Sequence, residues 1–319
     1  VTMYFPYLYA RQSELLALAS IINDRRSLGN LVPIIEPVLT NTARVIRQLT
    51  AYGQARHHLG IVLNPDKHEL ASSQASQAWL NNILPVVDAN PTILPTLRCY
   101  PGVTYQEIGL FLHRFSSRDV VLAYSSPTLS DAEFSALAAQ VNVRFHIILD
   151  RKLSQHAANL LPRSKIVDLN DNFNKLARNA DYRGPEFFTD QHRNFRVSGL
   201  AGFGDYCSVG SDLSVTGGPA AAVAIHAVFK RTAGDIWIEH FVSDDTDREV
   251  GDTAGKFLQA AIKLVAASRA RPSEFGRNFA LEEFERLVAY SHFPNLAKNK
   301  ELQINHHIAL ILDVLNGAI

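Results

Sequence analysis

A chain of 319 residues with 47% apolar and 19% charged residues has an ordinary globular composition, enough for one large α/β domain or for a barrel with an appendage. Its 31 basic and 31 acidic side chains cancel to a formal charge of zero, which argues against broad electrostatic capture of nucleic acid or of an anionic membrane. No apolar run approaches the roughly 18 residues of a membrane span, and the two cysteines, Cys99 and Cys207, lie in no metal-type spacing and fit a reducing, cytoplasmic compartment better than a disulfide scaffold.

Met3, the single methionine, is expected to be the native start, with Val1 and Thr2 left from cloning and no secretory signal after it. The first strand is expected over 4–10, followed by a helix over 13–22 with Leu15, Leu16, Leu18, Ala19 and Ile22 on its apolar face. The apolar run 31–38 reads as the second strand, with Thr40 as N-cap of a helix through 49. A strand over 59–64 leads through Pro65, Asp66 and Lys67 to a helix over 76–87. Strand–helix pairs follow at 93–99 and 105–115, at 120–124 and 131–139, and at 143–150 and 154–161.

A seventh strand begins at 165–169, after which the pattern breaks. Residues 170–196 are polar and without clear periodicity, long enough for a lid or capping insertion. The last barrel strand is placed over 200–209, around Gly202, Phe203, Gly204, Asp205 and Tyr206. A Ser/Gly linker over 211–219 precedes two β-rich runs, 221–230 and 236–242, which read as an antiparallel hairpin about a Gly-Asp turn. Helices over 252–268, 280–290 and 300–315 close the chain.

The early strands are apolar on both faces, as parallel strands between a core and a shell of helices must be. Regular βα alternation gives either a closed barrel or an open doubly wound sheet. The count of eight, and the lack of a glycine-rich turn after the first strand, favour a (β/α)8 TIM-like barrel over 3–210, with a hairpin and C-terminal helices over 211–319 packed on it.

In such a barrel the strand ends converge on one face. Here they carry Arg11, Glu36, Asn64, Arg98, Tyr124, Asp150, Asp168 and Asp205. Glu36 stands in a strongly apolar run, so it must be paired or neutral. Two readings stay open: a general acid/base or metal ligand, or an ion pair with Arg11 or Arg98. Asp150, Asp168 and Asp205 would join Glu36 in holding a divalent cation or in acid/base work, or Asp150 and Asp168 would cap the next turn. Catalysis is assigned to Glu36, Asp150 and Asp205, with Asp168 in support. Arg11 and Arg98 suit an anionic ligand, which Asn64, Tyr124 and Asp168 would help to hold.

Other signals are weaker. The adjacent pairs His57-His58 and His306-His307 lack zinc-site spacing and read as surface or loop histidines. The acidic run Asp244, Asp245, Asp247, Glu249 and Asp252 reads as a solvated helix start, not a calcium loop. No nucleophile elbow, phosphate-binding P-loop or Cys/His pair occurs. No lysine ends the first strand, which counts against a racemase-type pyridoxal phosphate barrel.

The opening segment from Tyr4 through Arg11 to Leu18, with the run Leu31 to Val38 around Glu36, resembles the start of the phage Beta protein family and, more closely, a related bacterial family. Gly204, Asp205 and Tyr206, and the run Gly251 to Phe257, resemble the C-terminal half of the same families. The resemblance implies a cytoplasmic protein of phage-related or mobile gene islands with a role in phage–host conflict, and it supplies no activity. Two functions are carried forward. One is a barrel hydrolase or phosphoesterase for a small phosphorylated or nucleotide-like ligand, although Pro37 and Val38 after Glu36 depart from the Glu-x-Asp of glycerophosphodiesterase-type barrels. The other is a non-catalytic sensor with a protein partner, the strand with Trp237, Phe241 and Val242 offering an edge. A third reading makes the strand-end residues a salt-bridge network that takes no ligand.

Overall fold

The computed structural model describes residues 3–24, 26–213 and 221–319. Most of the expected linker over 211–219 therefore lies outside the described residues. The chain clusters into two compact units. The first comprises Val1–Arg11, Leu28–Asp171 and Gln191–Asp205; the second comprises Gln12–Ser27, Asn172–Asp190 and Tyr206–Ile319.

The first unit is a closed, all-parallel eight-stranded barrel. Its strands in chain order are β1 (Met3–Tyr9), β2 (Ile34–Glu36), β3 (Leu59–Val62), β4 (Ile93–Cys99), β5 (Val120–Tyr124), β6 (Val143–Leu149) and β7 (Ile166–Asn170). The eighth, β9 (Gly202–Asp205), pairs with both β7 and β1 and closes the ring. Its helices are α2 (Ala43–Gln54), α3 (Ser73–Ala89), α4 (Tyr105–Arg114), α5 (Asp131–Ala138), α6 (Gln155–Asn159) and α7 (Gln191–Ser198).

Local chemistry sets the helix starts. Capping boxes open α4 (Thr104 with Glu107) and α5 (Ser130 with Glu133). Ser72 caps α3 by accepting from Ala75 N–H, three residues earlier than expected. Thr40 does not cap α2: its N–H and hydroxyl both donate to Glu69 at 2.8 Å.

Alternation along the strands sorts side chains between lumen and shell. The rings of Phe5 and Phe145 meet at 4.9 Å although β1 and β6 are not neighbours, so both lie in the lumen. The register then sends Tyr7, Tyr9, Ile34, Glu36, Thr96 and Arg98 inward as well. Gly204 also faces inward, where a Cβ would stand 2.2 Å from the Phe5 carbonyl oxygen of the paired strand.

The second unit centres on a three-stranded antiparallel sheet in the order β10 (Ala224–Lys230), β11 (Ile236–Val242), β8 (Pro185–Thr189). The expected hairpin is present as β10 (Ala224–Lys230) and β11 (Ile236–Val242). The stretch 170–196, read from its polarity as an irregular insertion, instead contributes β8 (Pro185–Thr189) and, in the first unit, α7. Because β8 pairs with β11, the strand carrying Trp237, Phe241 and Val242 is central and is not an edge.

Helices α1 (Gln12–Ile22), α8 (Thr253–Ala270), α9 (Pro272–Phe275), α10 (Phe279–Ala289) and α11 (Leu296–Leu315) complete this unit. Helix α1 packs on α11, where buried Glu14 meets Lys300 at 3.0 Å. His306 and His307 are buried in α11, not exposed, because that helix is covered by α1, α10 and β10. His306 Nε2 bonds the Val228 carbonyl at 2.8 Å, and the His307 ring lies 5.1 Å from that of Phe188. The acidic run ends, as expected, at a helix start: Asp252 caps α8 by accepting from Gly255 N–H at 2.7 Å. Among the described residues no helix is long and apolar enough to cross a membrane.

Candidate functional site

Glu36 ends β2 inside the lumen and is 1% exposed. A carboxylate there requires compensation, and three residues provide it. Tyr7 donates its hydroxyl to Oε2 at 2.7 Å, Arg98 Nη1 donates to Oε1 at 2.5 Å, and Lys67 Nζ lies 2.7 and 2.8 Å from the two oxygens. Of the two sequence readings of Glu36, the ion pair with Arg98 is therefore present. Arg98 Nη1 also reaches Asp66 Oδ1 at 2.6 Å, so one guanidinium joins two acids. Burial works against the Arg98 charge, but Glu36, Tyr7 and Asp66 outweigh it and hold the group above its usual range.

Lys67 is the more exposed partner in this arrangement. Its side chain is 31% exposed while Glu36 is at the bottom of the mouth. Burial lowers its pKa, and the Glu36 charge offsets part of that. Its Nζ also sits 5.1 Å from the Tyr9 ring centre, and Arg11 Cζ lies 6.0 Å from the same ring. The Tyr9 hydroxyl is pushed well above the ordinary phenol range, first by burial and then by Glu36; Arg98 and Arg11 act the other way and Asp150 adds to the rise. Four strand-end residues singled out from the sequence, Arg11, Glu36, Arg98 and Asp150, thus all bear electrostatically on Tyr9.

Asn64 has a different role. Its Nδ2 donates to the Arg98 carbonyl at 2.8 Å and its Oδ1 accepts from the Arg98 N–H at 2.9 Å. It acts as an extra rung between β3 and β4 where β3 has ended, and so fixes the backbone that aims Arg98. Asp150 has a positive φ of 51° and accepts from the Asp171 N–H at 2.8 Å, which is the turn-capping role.

Tyr124, Asp168 and Asp205 are not brought to this cluster. Tyr124 faces the shell: its hydroxyl is 2.9 Å from His146 Nδ1 and its ring packs beside Phe134 of α5. Asp168 accepts from Gln191 Nε2 of α7 at 2.9 Å. Asp205, fully buried, accepts the Tyr4 hydroxyl at 2.7 Å on the face where Phe203 meets Phe195 of α7. Among the described residues no three of Glu36, Asp150, Asp168 and Asp205 bring ligand atoms within 4.8 Å of one another, so the four do not form a common cation site.

Sequence reasoning missed Lys67, Asp66 and Tyr9. The signal was available: Tyr9 is the last residue of β1, and Asp66-Lys67 are the first charged residues beyond β3, where a barrel's loops also face the mouth. A groove of about 370 Å³ beside the cluster is lined by Asp66, Ser72, Ser76, Gln77, Tyr100 and Glu107, and the Tyr100 ring stands 5.1 Å from the Arg98 guanidinium. No protein-family model matches the chain, and no curated protein matches it by sequence.

Proposed function

We propose that this chain is a barrel hydrolase for a small phosphorylated ligand, and that the anionic end of the ligand enters beside Tyr9 and takes Lys67 from Glu36. One observation carries the reading: a half-exposed lysine of lowered pKa bridges both oxygens of a buried carboxylate in a barrel mouth. Lysine of this kind exchanges partners and protons readily. Arg98, held by Glu36 and Asp66, supplies fixed positive charge, and Arg11 adds to it from the rim. Asp66 uses one oxygen on Arg98 and keeps a 35% exposed side chain, which suits it to take the proton of an attacking water. The P–O ester bond then breaks, and Lys67 gives its proton to the leaving oxygen. The setting we infer, cytoplasmic and within phage–host conflict, rests on the resemblance of the opening and of Gly204-Asp205-Tyr206.

The test is a thermal-shift panel of inorganic phosphate, pyrophosphate and phosphorylated metabolites, coupled to an assay for released phosphate. Saturation at about a thousand times the dissociation constant adds roughly 4 kcal/mol, and the shift disappears in Lys67→Met. The alternative, a sensor without turnover that signals to a protein partner, is favoured by the completeness of the Glu36 network, in which Tyr7, Arg98 and Lys67 already satisfy both carboxylate oxygens. It gives the same shift with no product. No shift with any phosphorylated compound sinks both readings.

A further inference from the structure

A second cluster of titratable groups lies in the second unit and plays no part in the barrel mouth. His226 on β10 and His240 on β11 stand directly opposite one another in the antiparallel register. Their Nδ1 atoms face each other at 2.8 Å, and the two residues are 9% and 7% exposed. Glu186 on β8 reaches the far side of His240, Oε1 to Nε2 at 3.2 Å, and is itself approached by Asn174 Nδ2 at 3.4 Å. Tyr182 covers both imidazoles with centroid distances of 4.5 and 4.6 Å, and Phe173 packs against them at 5.0 and 6.4 Å. His240 and Tyr182 also border an open cavity of about 700 Å³.

From this geometry we propose that His226 and His240 form a two-imidazole site for a zinc-like transition-metal cation, with Glu186 as the positioning carboxylate behind His240. Three features support it. First, a carboxylate on one imidazole nitrogen places the proton there and leaves the other nitrogen as a lone pair, which is the arrangement that orients metal-bound histidine. With His240 protonated on Nε2, its Nδ1 accepts, so the hydrogen between the rings belongs to His226; a cation takes that position once His226 shifts its proton to Nε2, with no net proton lost.

Second, the donor set is two neutral nitrogens, which suits zinc, copper or nickel and not the oxygen-seeking calcium or magnesium. Burial lowers the His226 pKa to about 3 and lowers that of His240, so both rings are neutral at pH 7. Third, the fit is close. Bonds of about 2.0–2.1 Å to a tetrahedral ion need nitrogens about 3.3 Å apart, so the rings open by roughly 0.5 Å. The donors stand on neighbouring strands of one sheet, and His240 borders the open cavity.

The experiment uses the whole chain stripped with chelator and titrated with Co2+, followed by its visible absorption, then with Zn2+ in competition. One equivalent of Co2+ with four-coordinate bands, displaced by Zn2+, is expected. His226→Gln and His240→Gln abolish the bands, and Glu186→Gln weakens binding about 10-fold. Should the histidine variants not fold, Glu186→Gln and the Zn2+-dependent shift of imidazole nitrogen resonances in the unaltered chain decide the matter. Absence of a one-equivalent site, or binding that none of these changes touches, overturns the assignment.

Discussion

Glu36 and Arg98 belong to β2 and β4, two strands apart, and still meet at 2.5 Å over β3. Removing only the acid leaves a guanidinium that is 8% exposed with Asp66 as its remaining carboxylate. Breaking such a buried pair costs about 3–5 kcal/mol. Glu36→Gln should therefore lower the denaturant midpoint strongly, while Lys67→Met, which removes the more exposed partner, should cost about 1 kcal/mol. Equal effects of the two would mean that the lumen does not depend on this pair.

The crossing of β3 needs a residue without a side chain. A Cβ on Gly60 would stand 2.4 Å from Ile34 Cδ1 and 3.0 Å from Thr96 Oγ1, in the layer below Glu36 and Arg98. Gly60→Ala should destabilise the barrel by about 1–3 kcal/mol through overpacking and weaken any mouth ligand. A variant as stable as the parent would place the Ile34 side chain as freely adjustable.

His146 gives the barrel an acid limit. Burial first, and then the Lys165 charge, lower its pKa from 6.5 to about 3. The folded state thus holds it neutral while the unfolded chain protonates near 6.5. The sign follows: its contribution is complete above about pH 6.5 and is lost at roughly 1.4 kcal/mol per pH unit as the pH falls toward 3. In His146→Phe the slope of stability between pH 6 and pH 4 should flatten by about one proton; an unchanged slope assigns the acid limit elsewhere.

Tyr124 donates to or accepts from that histidine at 2.9 Å and is fully buried. Tyr124→Phe should cost about 1–2 kcal/mol for the lost hydrogen bond and leave ligand binding at the mouth untouched. Loss of ligand binding at unchanged stability would return Tyr124 to the site.

Lys67, its pKa lowered by burial, should react ahead of most surface lysines with a limiting amine reagent at pH 8, and pyrophosphate should protect it. Peptide mapping reads the order of labelling. A Lys67 among the last to be modified, with or without pyrophosphate, would falsify the exchange of partners proposed for it.

Much of the barrel was readable along the chain because its strands bury both faces and several helices carry their own start signals, such as Thr104 with Glu107 and Ser130 with Glu133. Strand β8 was not, since the five residues from Pro185 to Thr189 find their pairing strand in β11, about 50 positions later. The site divides along the same line. Glu36 and Arg98 were visible as charges in apolar strands, where burial forces pairing. Lys67, directly after Pro65 and Asp66, was marked only by its place in the first loop beyond β3, and the facing histidines have no local signature until the hairpin about 231–235 brings 226 and 240 into register.

By itself, then, the sequence determined the parallel eight-strand order and the end of the barrel at which polar side chains collect, because both follow from periodicity and strand polarity within short windows. Only tertiary structure decided which of those side chains face the lumen. One residue of shift along a strand exchanges lumen for shell, and it is the closure of β9 on β1 that turns Asp205 to Tyr4 and leaves Glu36, Arg98 and Lys67 together in the mouth.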